Sequence, residues 1–322
     1  MLNLKSYADL IEDELNNIQL PNSPIELYDP ITYFLQIGGK RIRPILTLLA
    51  AELFSLEKTN VIPQALAIEI FHNFTLIHDD IMDLAPLRRN QLTVHEKWDN
   101  NVAILTGDAL MIIAYQHLGR IKLEFLPEAF ESFNKTALEV CEGQQMDMDF
   151  ETRNDVTIHE YIEMIRLKTS VLLGAALHLG AVVSKASASD KEALRVFGEN
   201  IGIAFQIQDD ILDLYADPSK FGKQIGGDVI ANKKTILQLT AITKANSEQI
   251  DIINQLQSEE NLDFKISRTK ELFDHLNVKH DCVELMEKHY TIALNALESI
   301  NVSQKNKEPL VELAKFLITR DL

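Results

Sequence analysis

Apolar residues recur at intervals of three and four along almost the whole chain, and no run alternates in the manner of a half-buried strand. The pattern predicts an amphipathic helix from Leu4 to Asn17, stopped by a Leu-Pro-Asn-Ser-Pro loop, and a short second helix stopped at Gly38-Gly39. Pro44 suits the first position of a third helix through Phe54, because its missing amide would have no partner there anyway. Longer helical patterns follow at 62–83, 101–119, 128–147, 157–183, 190–215 and 231–245, with more in the C-terminal third. Irregular stretches near 84–98, 148–157 and 216–230 are short, and no Ser-, Gly- or Pro-rich linker divides the chain. The expectation is one all-α domain, with buried central helices accounting for stretches such as Ser170–Ser184 that are apolar nearly all round. There is no solenoid-type repeat; the one internal echo is Leu76–Asp83 (LIHDDIMD) against Gln206–Asp213 (QIQDDILD).

Composition narrows the class. With 322 residues, 46% hydrophobic and 25% charged, the chain can bury a large core and is neither disordered nor fibrous. A net charge of −17 argues against nucleic acid or anionic lipid as the main partner. Two cysteines, Cys141 and Cys282, cannot build a disulfide framework, and the acidic N-terminal stretch has neither a secretory nor a transit pattern; a cytoplasmic setting is expected. The longest apolar run, Val171–Val183, is interrupted by His178 and is short for a bilayer, so no membrane span is expected.

Against that acidic background, Thr75–Asp83 sets Asp79, Asp80 and Asp83 in an otherwise apolar pattern. Positions four apart share a helix face, so Asp79 and Asp83 stack with Asp80 beside them, and Asp209, Asp213 and Asp210 repeat the arrangement. Mg²⁺ takes oxygen ligands, keeps several waters, and joins one or two carboxylates to substrate phosphates, which suits both triads. The plainer reading of one such cluster is a solvated acidic face, or an N-terminal turn favoured by the helix dipole. Against it stand the apolar flanks and their repetition in the second copy. Like charges about 4 Å apart repel by about 4 kcal/mol at an effective dielectric near 20, so converging clusters would need cations. Zinc does not suit a cluster with no Cys and only His78 nearby.

Basic residues suggest what the metal would share. Gly38–Pro44 (GGKRIRP) sets Lys40, Arg41 and Arg43 around a helix start, where free amides and the dipole favour an anion; a solvated basic loop is the alternative. Arg88 and Arg89 follow the first acidic cluster, and His72 lies two turns before Asp79 on the same face, where a lone His is usually a core residue. Lys168-Thr169 and Phe221–Thr235 add Lys223, Lys233 and Lys234, which individually read as surface lysines. Gln206 precedes Asp209 by three and Asp213 by seven, so its amide shares the face of the second cluster and its carbonyl suits a developing positive charge. The arrangement suggests two anionic ligands, one held through metal and one by Lys and Arg directly.

Taken in order, GGKRIRP, HNFTLIHDDIMD, the Arg pair, EGQQMDMD, RLKTS, FQIQDDILD and the Gly-Lys/Lys-Lys-Thr elements closely resemble the trans-isoprenyl diphosphate synthases, the polyprenyl synthetase family, from about Ile31 to Thr235. The resemblance implies the isoprenoid synthase fold, a single-domain bundle of antiparallel helices around a deep central cavity spanning residues 1–322, usually as a homodimer. It implies condensation of isopentenyl diphosphate with an allylic diphosphate (dimethylallyl, geranyl or farnesyl), with about three Mg²⁺ held by Asp79, Asp80, Asp83, Asp209, Asp210 and Asp213. Arg88, Lys168, Lys223 and Lys233 then resemble the cationic partners of the allylic diphosphate, and Lys40, Arg43, His72 and Arg89 the isopentenyl diphosphate site. Lys168, Thr169 and Gln206 resemble the catalytic groups, Thr169 and Gln206 lying beside the allylic cation, with Gln144 and Asp147 in support. Asn90, Leu92 and Asn232 depart from the family's usual Gly, Pro and Gly, which touches loop shape but no charged ligand.

The family precedent also makes the released diphosphate the base that takes the proton. Residues four and five before the first aspartate, Thr75 and Phe74, would lie near the floor of the chain pocket. Ideal geometry puts Phe74 about 140° around the helix from Asp79, so spacing alone does not make it the floor. The aromatic favours a short product and the small Thr75 leaves depth; geranylgeranyl diphosphate is expected, with farnesyl diphosphate as the alternative. A class I terpene cyclase would lack a second diphosphate to hold, and a non-catalytic partner subunit would be expected to lose an acidic cluster.

Overall fold

The structure, a computed structural model, describes residues 4–216 and 225–319, and among them the only strand pairing is a two-residue antiparallel ladder, Leu87–Arg88 with Gln91–Leu92. The helices are α1 (Leu4–Asn16), α2 (Ile25–Gln36), α3 (Ile42–Leu53), α4 (Ile62–Met82), α5 (Val94–Lys97), α6 (Asn100–Leu118), α7 (Leu126–Thr152) and α8 (Ile158–Ile165). After a π-helical turn, Arg166–Ser170, come α9 (Val171–Val183), α10 (Ala188–Tyr215), α11 (Gly227–Ile230), α12 (Ile236–Lys244), α13 (Ser247–Gln257), α14 (Leu262–His275), α15 (Val278–Glu298) and α16 (Gln304–Ile318). The all-α expectation holds.

Boundaries differ where local chemistry outweighs periodicity. The third helix starts at Ile42, because Arg41 takes a left-handed conformation (φ 50°) that turns the chain, and Pro44 sits in the first turn, where an amide is still dispensable. The expected helix over 157–183 is broken into α8, the π turn and α9. There the Ser170 hydroxyl donates to the Ile165 carbonyl at 3.2 Å. The expected helix over 231–245 starts only at Ile236, since Asn232 is also left-handed (φ 52°). Within 84–98, expected to be irregular, lie the small hairpin and α5. One stretch, Ile158–Val183, has the length and composition to cross a membrane, but 78% of its most apolar window is buried inside the protein, as in a core helix.

Two compact units emerge, each with its own core. The first comprises the chain up to Asn134 with Ala175–Leu194 and Asn301–Leu310, and buries Ile31, Phe34, Ile45, Leu48, Ile68 and Phe71. The first half of α4 is buried all round, which explains why its sequence has no polar face. At its heart Arg41 donates to Glu69 at 2.6 Å, to Glu12 at 2.8 and 3.0 Å, and to the Leu35 carbonyl at 2.9 Å. The second unit, Lys135–Gly174 and Arg195–Ile300 with the chain from Val311, is built on Tyr161, Ile207, Ile211, Ile236, Phe273 and Val278. Replacing Arg41 with Met would leave Glu69, 2% exposed, without its counter-charge. Loss of one partner of a buried pair costs about 3–5 kcal/mol, and urea denaturation of Arg41→Met should show a loss of that order.

Candidate active site

The two acidic clusters occupy helix ends, and both occupy the wrong end for electrostatics. Asp79 and Asp80 lie in the last turn of α4 with Asp83 as its C-cap, and Asp209, Asp210 and Asp213 lie in the last two turns of α10; neither last turn carries a basic residue. The C-terminal macrodipole disfavours carboxylates by roughly 0.3–1 kcal/mol each, so a dipole-favoured N-terminal turn is excluded as their explanation.

In the first unit Asp80 is buried, and Arg88, on the hairpin, donates to it through Nε at 2.8 and 2.9 Å, with Nη2 2.7 Å away. Burial raises the Asp80 pKa and the Arg88 pair opposes the rise. Asp79 and Asp83 flank it on the stacked face, Asp83 exposed and its amide bonded to the Asp79 carbonyl at 2.8 Å. Arg43 donates through Nη1 to His72 Nε2 at 3.0 Å. Because guanidinium only donates, His72 accepts there and carries its proton on Nδ1. Burial, then the charges of Arg43, Arg89, Arg88 and Arg41, hold His72 neutral far below its ordinary range. Burial likewise pulls Arg43 down to about 10, and its Nε is buried without a partner among the described residues, as befits a group that awaits an anion. Arg89 comes to the same place, its Nη1 only 2.6 Å from where a Cβ on Gly39 would stand, so the guanidinium rests against that glycine. Arg41, read with this basic segment, is instead fully engaged inside the unit.

Below Asp79, Phe74 packs against Phe71 and His78, with ring centroids 5.5 and 4.8 Å apart, and Phe71 and Tyr115 both meet Phe133. Thr75 donates its hydroxyl to the His72 carbonyl at 2.8 Å. Phe74 therefore belongs to an aromatic cluster, a placement that helix spacing did not give.

In the second unit Asp210 is buried and accepts from the Tyr161 hydroxyl, from Gln206 Nε2 at 3.2 Å and from the Ile236 amide at 3.3 Å. Burial nevertheless pushes its carboxyl up to about 7. Asp213 Oδ2 accepts from the Asp228 amide at 3.0 Å. Lys168 and Thr169 lie on the π turn, a widening that often marks functional positions. Lys168 Nζ reaches Asp147 Oδ2 at 2.6 Å, and a Cβ on Gly143 would come 2.3 Å from the Lys168 amide, so the Gly-Gln-Gln segment of α7 can lie against the π turn only as glycine. Gln144 is on the same helix. Lys233 follows α11 and lines a cavity with Asp210, Asp213 and Asp228. Lys223 lies outside the described residues.

Among the described residues no group of three or more His, Cys, Asp or Glu side chains gathers as a metal cage. Within both triads protein donors reach carboxylates expected as ligands, Asp80 in the first and Asp210 and Asp213 in the second. Paired carboxylates fit a hard cation that keeps water and is completed by phosphate oxygens. Tyr161 had no signal in the sequence, since it meets Asp210 from 49 residues away.

Deprotonation of Asp210 has a defined sign. Its folded pKa, about 7, lies above the ordinary value of 3.8, so its contribution to stability is complete below pH ~4 and is lost as pH rises towards 7. In metal-free protein the urea midpoint should fall over that window more steeply than in Asp210→Asn, measured at half-unit pH steps.

The polyprenyl synthetase family model matches residues 24–275. A geranylgeranyl diphosphate synthase of Methanosarcina mazei is 43% identical over 244 residues, which cover 75% of this chain and 74% of the relative. A geranylfarnesyl diphosphate synthase of Natronomonas pharaonis is 42% identical over 250 residues, 72% of this chain and 73% of the relative. Among solved structures, geranylgeranyl pyrophosphate synthetase from Pyrococcus horikoshii superposes with a TM-score of 0.93 at 34% identity, covering 99% of this chain and 97% of that one.

Proposed function

Since the chain belongs to the polyprenyl synthetase family, has the isoprenoid synthase fold and is a prenyltransferase, we propose that it condenses isopentenyl diphosphate with an allylic diphosphate, in a Mg²⁺-dependent reaction whose main product is geranylgeranyl diphosphate. The observation that carries this reading is the pair of acidic clusters at the C-terminal ends of α4 and α10, where three carboxylates each oppose the helix dipole and a bound cation would offset them. We read the whole chain as one polyprenyl synthetase domain that works as a homodimer in the cytoplasm.

Asp79, Asp83, Asp209 and Asp213 would hold the metal. Bound there, Mg²⁺ supplies Lewis-acid neutralisation of the leaving diphosphate. Asp80 and Asp210 keep Arg88 and Gln206 in place. Arg88, Lys168, Lys223 and Lys233 bind the oxygens of the allylic diphosphate, and their fixed charges favour rupture of the allylic C–O bond with its electron pair leaving on diphosphate. Lys40, Arg43, Arg89 and neutral His72, through its Nδ1 proton, hold isopentenyl diphosphate so that its terminal double bond lies next to the cationic carbon. The π electrons form the new C–C bond, Thr169 and the Gln206 carbonyl face the cationic centre, and the released diphosphate takes the proton that leaves to create the new double bond. Excluding water protects the cation, since hydration would end the reaction.

Support for the C20 product is the aromatic Phe74 beside the small Thr75, together with relatives named for geranylgeranyl diphosphate. Farnesyl diphosphate would be the outcome if the Phe74 ring blocks the third addition.

Purified protein, weighed as a dimer by light scattering, should convert labelled isopentenyl diphosphate and each allylic starter to C20 product with Mg²⁺ and not with EDTA. Asp79→Ala and Asp209→Ala should each lose more than about 100-fold in kcat without a loss of melting temperature; normal turnover in either would remove the metal assignment. Phe74→Ala should lengthen the product by one or more five-carbon units on reversed-phase chromatography. An unchanged distribution would show that Phe74 does not set the floor.

A further inference from the structure

The chain beyond Thr235 contributes no motif to the site, yet it holds the segment that does. Between Gly226 and Thr235 the backbone passes through two left-handed residues, Gly226 (φ 74°) and Asn232 (φ 52°). Asparagine tolerates that conformation and, unlike glycine, brings a side chain. Asn232 Nδ2 donates to the carbonyl of Gln257, the last residue of α13, at 3.1 Å. Lys265 of α14 reaches the same carbonyl from Nζ at 3.3 Å and the Ile230 carbonyl, at the end of α11, at 3.4 Å. Only 3% of Lys265 is exposed, and its ammonium lies at the C-terminal carbonyls of two helices, the end that favours a cation. Gly226 sits against Ile266 of the same helix, close enough that a Cβ would come within 2.8 Å of Cγ1.

The other side of this segment shapes the second acidic cluster. The Gly226 amide donates to the Asp213 carbonyl at 2.7 Å, and the Asp228 amide to Asp213 Oδ2 at 3.0 Å. A small cavity lined by Asp213, Asp228, Asn232, Lys233, Gln257 and Lys265, together with apolar residues such as Val229 and Phe273, runs alongside.

We propose that Asn232 and Lys265 are positioning residues, which converge on the Gln257 carbonyl to clasp segment 226–235 onto α13 and α14 and so set the placement of Asp213 and Lys233 towards the allylic diphosphate. The proposal rests on the prenyltransferase reading and extends it to α13 and α14, which lie within the matched residues 24–275 but carry none of the site motifs. Asn232→Gly keeps the left-handed backbone and removes only the amide tie, Lys265→Met keeps the aliphatic stem and removes the ammonium, and Lys265→Arg restores the charge. In steady-state kinetics the first two should raise KM for farnesyl diphosphate about tenfold, the worth of one such hydrogen bond, with KM for isopentenyl diphosphate within about twofold of wild type and Lys265→Arg recovering most of the loss. An unchanged farnesyl diphosphate KM in Asn232→Gly overturns the clasp, as does a parallel change in both KM values that tracks a fall in melting temperature. If Lys265→Met does not fold, Asn232→Gly decides. If the wild type forms no carbon–carbon bond, the proposed function fails by itself; calorimetry of pyrophosphate with Mg²⁺ then reads the clasp, which equal affinities for wild type and Asn232→Gly would overturn.

Discussion

Carboxylates at a helix C-terminus oppose the macrodipole, and this chain ends two of its longest helices, α4 and α10, on three carboxylates each. Much of the surrounding structure answers that constraint. Each triad places its middle member inside the protein, where hydrogen bonds replace water. Asp80 meets the planar fork of Arg88, and Asp210 meets a phenol, an amide side chain and a backbone amide from three different elements. The outer members stay towards solvent or the loop that follows, which is where a hydrated cation can reach them. The repeated DDxxD spacing thus sets one carboxylate of each triad inside the protein as a brace.

The cationic half of the chemistry follows a complementary rule. A buried guanidinium is tolerable when its donors are met, as for Arg41 between Glu12 and Glu69. Arg43 lacks such partners; it leans on a neutral imidazole and keeps one buried donor unmet, and burial lowers its affinity for its own proton. Arg41 and Arg43 thus differ in how fully the fold meets their donors. Close backbone approach also places cations. Gly39 lies against the Arg89 guanidinium, and Gly143 admits the π turn with Lys168 at a distance a β-carbon would forbid.

Beyond the recognisable motifs, α13 acts on the site through the Gln257 carbonyl and α14 through the Lys265 ammonium. A carbonyl at a helix end has spare acceptor capacity, so Gln257 can take two donors without any acidic side chain. The left-handed Asn232 adopts a conformation that glycine would also allow and adds a side-chain tie to the Gln257 carbonyl.

The helical class, the helix centres, the paired aspartates and the order of the basic motifs were legible in the sequence, because helical periodicity and i, i+4 spacing are local properties that a chain carries on its face. The helix breaks at Arg41, Asn232 and the π turn were not, since left-handed residues and widened turns leave no mark in an apolar pattern. Nor could sequence separate Asp80 from Asp79 or Arg41 from Arg43, residues one and two positions apart whose roles depend on which neighbour reaches them through space. Tyr161 meeting Asp210, and Lys265 meeting Ile230, join residues 49 and 35 positions apart. Only tertiary packing decides such pairs, because a hydrogen bond depends on distance and direction in three dimensions, and neither is written in the order of the residues.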